Sequence, residues 1–492
     1  MLSSLERSLK AASPRYCPPP TPLRTVLIHA SVMLLWGALL AMAFRYTGVL
    51  AWSTGIAYVT YDTVLLVFVF WQTLRLARAP LALLDAAQPA QTLTARVTLG
   101  VIVAAHNEAA VLPITLGALL EQRDAPEQIV IADDGSTDGT AGVLQRDYGL
   151  RQPAMGTMSV CSATYPTLRW LRLPHGGKAR ALNAAIVQMS TDTVLTVDGD
   201  TLLEPDAIGA VRAAFSNEPA LVAATGVLAP VCNNSFSGRL FQWFQTYEYI
   251  RNFLSRYAWM RVNSLLLISG AFAGFRRHAL VEVGGFDADC LVEDYELIHR
   301  LRRFSMLNER GWTARVLGNA RARTEAPGTV GAFLRQRRRW FGGFLQTQFW
   351  YRDMVGDRRL GWLGLAMLPV KAIDTLQPLY GLTAFVLLLF YALHGSLGVL
   401  APVGLVIGGK IVIDLVFHLW SVHLYRRWAE SDQSVETSTP RANFALAFLA
   451  AVVEPFTFQL LRHLGAAWGW LYFLTGARQW GTQSRGGLLP PP

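Results

Sequence analysis

Charge is scarce in this chain. Only 16% of its 492 residues are Asp, Glu, Lys or Arg, against about 25% in an ordinary soluble domain. Hydrophobic residues make up 52% and mean hydropathy is +0.29, which excludes a wholly soluble or a largely disordered protein. Cysteine is nearly absent. Cys17, Cys161, Cys232 and Cys290 stand far apart with no CxxC, a pattern that argues against a structural zinc site or a disulfide framework. No P-loop of the GxxxxGKS or GxxxxGKT form occurs, which argues against an ATPase of that class. Acidic residues are the minority: Lys+Arg 44 against Asp+Glu 34 leaves +10. That balance suits anionic lipid or an anionic substrate, and equally a membrane protein with basic cytoplasmic flanks.

What is plentiful is apolar sequence, and it lies at the two ends. Residues 25–44 (TVLIHASVMLLWGALLAMAF) are long enough to span a bilayer and longer than the apolar core of a cleaved signal, so they read as an anchor. A second run at 52–73 carries Asp62 and is followed by Arg75 and Arg78. With Arg7, Lys10, Arg15 and Arg24 ahead of the first run, these cations place the N-terminus and the region after Arg75 in the cytoplasm. From 95 to 355 no apolar stretch is long enough to cross. Residues 360–372, with Pro369 and Lys371, read as an interfacial helix, and spans are expected at 374–394 and 400–424. A polar loop, 426–441, then returns to the cytoplasm. The run 442–475 is broken by Glu454-Pro455 and carries Arg462 and His463; it fits two short crossings or a re-entrant hairpin. Arg478 and Arg485 favour a cytoplasmic C-terminus. Lys410 and Asp414, four apart inside a span, fit a polar translocation path or a buried structural pair. The chain thus divides into 1–78 with two transmembrane helices, a cytoplasmic domain over 79–357, and 358–492 with about three to four membrane segments.

The central region alternates short apolar runs with helical periodicity. TLGVIVAA (98–105) is a continuous Val- and Ile-rich run, as expected of a strand buried on both faces of a parallel sheet, and HNEAAVLPITLGALLEQ after it has helical spacing. A second strand, Gln128–Ala132, leads into Asp133-Asp134-Gly135-Ser136, and a third, Thr193–Val197, into Asp198-Gly199-Asp200. Open α/β sheets bind ligands at the carboxyl ends of their strands, and that is where these carboxylates fall. Two carboxylates one residue apart can hold a hard divalent cation and leave positions for diphosphate oxygens. Lys178, in GGKARALN (176–183) between the two acidic blocks, adds positive charge. Taken alone, each aspartate could equally be a turn or helix-capping residue.

The blocks VIVAAHNE (101–108), IADDGSTDGT (131–140), GGKARALN (176–183), VDGDTLLEPDAI (197–208), SGAFAGFRRHALVEVGGFD (269–287), VEDYELIHRL (292–301) and QRRRW (336–340) occur in one order. With them the chain resembles glycosyltransferase family 2, and within it the membrane-embedded processive synthases of poly-N-acetylglucosamine, hyaluronan, chitin and cellulose. The resemblance implies an α/β, GT-A-like nucleotide-sugar-binding domain inserted between N- and C-terminal transmembrane helices. It implies that Asp134 contacts the nucleoside of a UDP-sugar, that Asp200 ligates Mg2+ or Mn2+ with Asp198 close to ion and nucleotide, and that Lys178 lies near phosphate. Asp294, in the pair Glu293-Asp294, corresponds to the general base that takes the acceptor hydroxyl proton. Gln336, Arg339 and Trp340 form the QxxRW pattern, Arg339 against the departing diphosphate and Trp340 as a stacking face for the acceptor.

Other residues in the blocks carry no such expectation. Asp133 and Asp138 read as loop and cap residues, His106 and His175 as loop residues, and Arg335, Arg337 and Arg338 as one face of an amphipathic helix with Phe333, Phe341 and Phe344. Gly270 in SGAF fits a close backbone approach near the acceptor or an ordinary tight turn. Ala105 stands where the family commonly has Pro, and Val292 where many members have Thr; neither removes a chemical group. The expected activity is inverting, metal-dependent extension of a β-linked polysaccharide from UDP-N-acetylglucosamine or UDP-glucose, with the growing polysaccharide or a lipid as acceptor. The expected setting is the bacterial inner membrane, as a multi-pass protein in contact with lipid. Single-sugar transfer to a lipid and a non-catalytic relative are the rivals. Nucleic acid is not an expected partner, since the arginine cluster adjoins membrane segments without a recognition motif.

Overall fold

A computed structural model describes residues 2–78, 96–429 and 443–476. Residues 79–95, most of the polar loop 426–441, Arg478 and Arg485 lie outside the described residues. In chain order the helices are α1 (Leu2–Ala12), α2 (Leu23–Arg45) and α3 (Ser53–Arg78), then α4 (Leu112–Leu120), α5 (Thr140–Arg146), α6 (Lys178–Ile186) and α7 (Ala207–Asn217). They continue with α8 (Phe236–Arg261), α9 (Arg277–Val283), α10 (Glu293–Leu307) and α11 (Val330–Trp350), then α12 (Leu368–Leu393), α13 (Leu397–Ala429), α14 (Phe444–Val453) and α15 (Phe458–Leu474). The strands are β1 (Leu99–Ala105), β2 (Gln128–Asp134), β3 (Leu168–Leu173), β4 (Thr193–Asp198), β5 (Thr201–Leu203), β6 (Leu221–Val231), β7 (Phe272–Arg276) and β8 (Thr313–Glu325).

The strands form one sheet in the order β3-β2-β1-β4-β7-β6-β8-β5. The first four are mutually parallel, as their uninterrupted apolar sequences suggest. β7 then enters antiparallel to both β4 and β6, so the sheet is mixed, which the strand runs alone do not reveal. Both faces are covered. Val101 and Val103 pack with Leu112, Leu116 and Phe215 on one side. On the other, Ile102 and Val130 share a core with Leu182 of α6, Leu254 of α8, Leu76 of α3 and Phe417 of α13. That second core runs without a break from the sheet into the apolar helices, which fixes the domain directly against them.

One helix starts later than its periodicity predicts. The expected helix from His106 begins only at Leu112, because Asn107 adopts a left-handed backbone (φ 57) and its side-chain oxygen accepts the Thr137 amide at 2.8 Å. The turn so made brings the β1 end beside the β2 end.

Among the described residues, four straight helical stretches are long and apolar enough to cross a membrane: Leu23–Arg45, Gly48–Ala77, Leu363–Leu393 and Leu397–Arg427. Residues 360–372 are therefore no separate interfacial helix; Leu363 onward continues straight to Leu393. Pro369 stands where a π-helical turn, Leu363–Met367, passes into α12, the kind of local irregularity that accommodates a proline inside a long helix. Lys371 is ion-paired to Asp374 at 2.6 Å rather than turned to headgroups. The final apolar region is a bent pair, α14 and α15, with 47° between the halves; two short crossings would require the chain to reverse. Lys410 pairs with Asp414 on its own helix and with Asp62 of α3 at 2.7 Å, which cross-links α3 and α13.

α11, the helix carrying QRRRW, lies along α15. The contact is glycine-lined: a Cβ on Gly469 would stand 2.8 Å from the Phe341 Cβ and 3.0 Å from the Arg338 carbonyl, and one on Gly465 would stand 2.6 Å from the Arg337 Cβ. Close helix approach through small residues is how packing drives association where water does not. Gly469→Val should push the two helices apart at a cost of about 1–3 kcal/mol. Lower melting temperature and lower turnover in detergent-purified protein are the expected outcome; wild-type values for both would show that the contact is slack.

Candidate active site

The site forms at the carboxyl ends of β1, β2 and β4, where α6, α10 and α11 converge on it. Its centre is the ammonium of Lys178, the first residue of α6. Nζ lies 2.5 Å from an Asp198 carboxylate oxygen and 3.8 Å from Glu293, and it donates to the Gly270 carbonyl at 3.3 Å. Burial works against the charged ammonium, but Asp198, Glu293 and Asp294 outweigh it and raise its pKa. Burial likewise raises the Glu293 carboxyl, opposed by Lys178 and Arg339.

Asp294 sits in the first turn of α10, half-buried beside the fully buried Glu293. Its two oxygens accept the Gly270 amide at 2.6 Å and the Tyr295 amide at 2.8 Å. A Cβ on Gly270 would stand 2.9 Å from the Asp294 Oδ2 and 3.3 Å from its Cβ, so a larger residue here must shift the Asp294 side chain. Both readings of Gly270 are present: it lies in a turn closed by the Phe272 amide on the Ser269 carbonyl at 3.0 Å, and its own amide approaches Asp294.

Asp198 ends β4 and Asp200 follows two residues later, after Gly199. Asp200 is buried, and its carboxyl is pushed up to about 7 by desolvation and by the neighbouring carboxylates of Asp198 and Glu325. Carboxylates crowded against one another at a strand end are the hard oxygen donors that Mg2+ or Mn2+ favours, so the residues present fit such an ion.

Asp134, the last residue of β2, holds the GGK turn. Its oxygens accept the Gly176 amide at 2.8 Å and the Gly177 amide at 2.9 Å. His175 Nδ1 stands 3.0 Å from the same carboxylate, and His106 Nδ1 2.8 Å from the Asp134 carbonyl. The two imidazoles stack with centroids 4.3 Å apart. His106, Asp134 and His175 thus offer ligand atoms within 4.8 Å of one another. Sequence reasoning leaves both histidines as loop residues. They are 69 positions apart, and their only advance signal is that His106 lies within the block 101–108 and His175 directly precedes the block 176–183. Asp133 and Asp138 do serve the loop: Asp133 accepts the Ser136 amide and the Trp170 indole N–H, and Asp138 accepts from Thr140 and Ala109.

On α11 the arginines separate by direction. Arg337 pairs with Glu248 of α8 at 2.8 Å and lies over the Trp340 ring at 4.5 Å. Arg338 lies over Trp468 and Tyr472 of α15. Arg339 is the one whose charge acts on Glu293. Gln336 is buried, and its side-chain oxygen has no hydrogen-bond partner among the described residues. Glu248, absent from the expected residues, is a hub: it also meets Arg462 at 3.3 Å, and Arg462 reaches Glu454, which pairs with Arg251.

Comparison with known proteins gives the family and the fold. The family model for Glycosyl transferase family 2 matches residues 100–284, and that for Glycosyl transferase family group 2 matches 193–402. Together they cover more than half of the sequence, and the chain belongs to glycosyltransferase family 2. Among curated relatives, the poly-beta-1,6-N-acetyl-D-glucosamine synthase of Staphylococcus aureus (strain COL) is 29% identical over 244 residues, 49% of this chain and 53% of the relative. That of Staphylococcus epidermidis is 28% identical over 254 residues, 51% of this chain and 56% of the relative. The match therefore spans about half the length of each. A mannosyltransferase of Pyrobaculum calidifontis, solved in complex with GDP-Man and Mn2+, shares the fold with a TM-score of 0.53 at 21% identity, over 83% of this chain and 99% of that one. The fold is GT-A-like.

Gly270→Ala should displace the Asp294 carboxylate and lower turnover by about 10²-fold, the cost of a misplacement near 1 Å. Nucleotide affinity, measured by calorimetry, should stay as in the wild type. Undiminished turnover would mean that the placement of Asp294 does not matter to the reaction.

Proposed function

We propose that this protein transfers a sugar from a UDP-sugar, UDP-N-acetylglucosamine or UDP-glucose, onto the hydroxyl of a growing β-linked polysaccharide, with inversion at the anomeric carbon. The observation that carries the reading is the convergence on one ammonium of Asp198 from the sheet, Glu293 from α10 and the Gly270–Asp294 pair. A base, a counter-charge for diphosphate and a carboxylate pair for a cation meet there in one polar site beneath the QRRRW helix.

Asp294 takes the acceptor proton. Its two amide contacts hold the carboxylate in one orientation and leave lone pairs for a hydroxyl. Lys178, already between Asp198 and Glu293, neutralises charge on the donor diphosphate, and Arg339 does so from α11. Asp198 and Asp200 would hold Mg2+ or Mn2+, which when bound neutralises the leaving diphosphate. Asp134 fixes the Gly176–Gly177 turn and faces the nucleoside together with the histidine stack. Gln336 and Trp340 meet the acceptor. A single displacement needs no covalent intermediate, so no further nucleophile is required.

The catalytic domain faces the cytoplasm of a bacterial inner membrane in this reading. Support comes from the N-terminal segment and the domain packing on the same side of the α2–α3 pair. Passage of the product across the membrane belongs to the same reading; Asp62, Lys410 and Asp414 are polar groups within the apolar helices, paired with one another across α3 and α13.

Radiolabel incorporation by the full chain in lipid nanodiscs tests the reading, with UDP-N-acetylglucosamine, UDP-glucose and GDP-Man offered separately with Mg2+ or Mn2+. A high-molecular-weight product that resists lipid extraction, from one UDP-sugar, is expected. A small lipid-extractable product would make this a single-transfer enzyme, and incorporation from GDP-Man alone would overturn the donor. Asp294→Asn should lower turnover by about 10²–10⁴-fold while UDP still binds; retained turnover removes Asp294 as base.

A further inference from the structure

The segment that delivers Asp294, residues 284–292, is held from several sides. From α6, Asn183 both donates to the Phe286 carbonyl and accepts its amide, each at 2.8 Å. From α11, the Gln346 side-chain oxygen accepts the Leu291 amide at 3.1 Å. The remaining hold comes from before the first apolar helix. Arg15 Nη1 lies 2.7 Å from both oxygens of Asp287, a carboxylate only 1% exposed, and Nη2 reaches Asp289.

Asp287 passes that restraint on toward the base. Its carboxylate also accepts the Asp289 amide at 3.0 Å, and its carbonyl accepts the Cys290 amide at 3.2 Å, four residues before Asp294. The Arg15 guanidinium also lies over the ring of Trp350, 5.1 Å from its centroid, at the end of the QRRRW helix. Two residues earlier, Ser13 hydrogen-bonds the Tyr351 hydroxyl, which donates to Glu296 at 2.6 Å in the first turn of α10. α1 seats this segment. Leu5 and Leu9 are buried, and a Cβ on Gly284 would stand 2.2 Å from the Leu9 nitrogen.

We infer that Arg15 is a positioning residue, through which the N-terminal segment sets Asp294 against the QRRRW helix. The inference rests on the proposed role of Asp294 as base. A planar guanidinium fork fixes a carboxylate by two contacts, where an ammonium holds it as a point charge. The lead-in to the first membrane helix is then a working part of the site as well as an anchor.

The test uses the full chain in nanodiscs. Arg15→Lys keeps the charge and loses the fork. The double variant Arg15→Gln/Asp287→Asn removes the buried charge that a single loss would strand, so misfolding need not obscure the result. Hydrogen–deuterium exchange across 286–296 is read beside kcat, donor KM and UDP affinity. Faster exchange in both variants, with kcat down about tenfold and donor KM and UDP affinity unchanged, is expected. Unchanged exchange overturns the inference whatever the activity. So does a lowered melting temperature accompanied by wild-type kcat in the folded fraction, the mark of a purely structural contact. A wild type that turns over no donor defeats the proposed reaction instead, and the role of Arg15 as a positioner of the base falls with it.

Discussion

Several carboxylates must be kept together in a largely buried place, and one ammonium makes that possible. Asp198, Glu293 and Asp294 all act on Lys178, the first from the end of β4 and the other two from the first turn of α10. Like charges at this distance repel by several kcal/mol in a poorly screened interior, and removing the cation from such a group leaves uncompensated buried charge. The fold answers by placing Lys178 at the start of α6, where Gly177 takes a backbone with φ 93 and Asp134 clamps the turn from below. The parallel half of the sheet supplies Asp134 and Asp198, while α10 supplies Glu293 and Asp294. The carboxylate cluster and the topology are thus one problem with one solution.

The second constraint is mechanical. α11 has the site on one side and the apolar helices on the other, and its residues divide accordingly. The charge of Arg339 acts on Glu293 of α10, whereas Arg337 and Arg338 engage Glu248, Trp468 and Tyr472. Ion pairs buried this deeply contribute little net stability, because desolvation offsets their attraction. Their effect is to set register. Glu248 between Arg337 and Arg462 fixes how far α11 can slide along α15, and the glycines at 465 and 469 fix how close it lies.

Legibility in the sequence follows the range of the interactions. Strand ends are readable because a continuous apolar run followed by aspartate is a local pattern, and β1, β2 and β4 end within two residues of where that pattern puts them. The motif blocks are readable because they are contiguous. What spacing does not disclose is pairing across long separations: Arg337 with Glu248 at 89 residues, and Arg15 with Asp287 at 272. Read locally, Arg15 is a topogenic charge and Lys371 an interfacial one, yet both spend their charge on a carboxylate. The same blindness hides the His106–His175 stack, in which both imidazoles meet the Asp134 carbonyl from the ends of different strands. Nor can a helical period anticipate a single residue, Asn107, at φ 57.

Several long-range pairs bear on how such a site works, because they join the α/β domain to an element that lies before it or after it in the sequence: Arg15 and Arg24 ahead, Arg462 and Glu454 behind. The domain's own motifs make the chemistry possible, but the orientation of α10 relative to α11 is set by residues from both flanks. Since the second apolar core runs unbroken from the sheet into α3 and α13, a shift of the apolar helices changes the packing under α6 as well. In the proposed reaction an acceptor moving past α11 would load the same contacts that hold Asp294, which would couple acceptor binding to the alignment of that carboxylate.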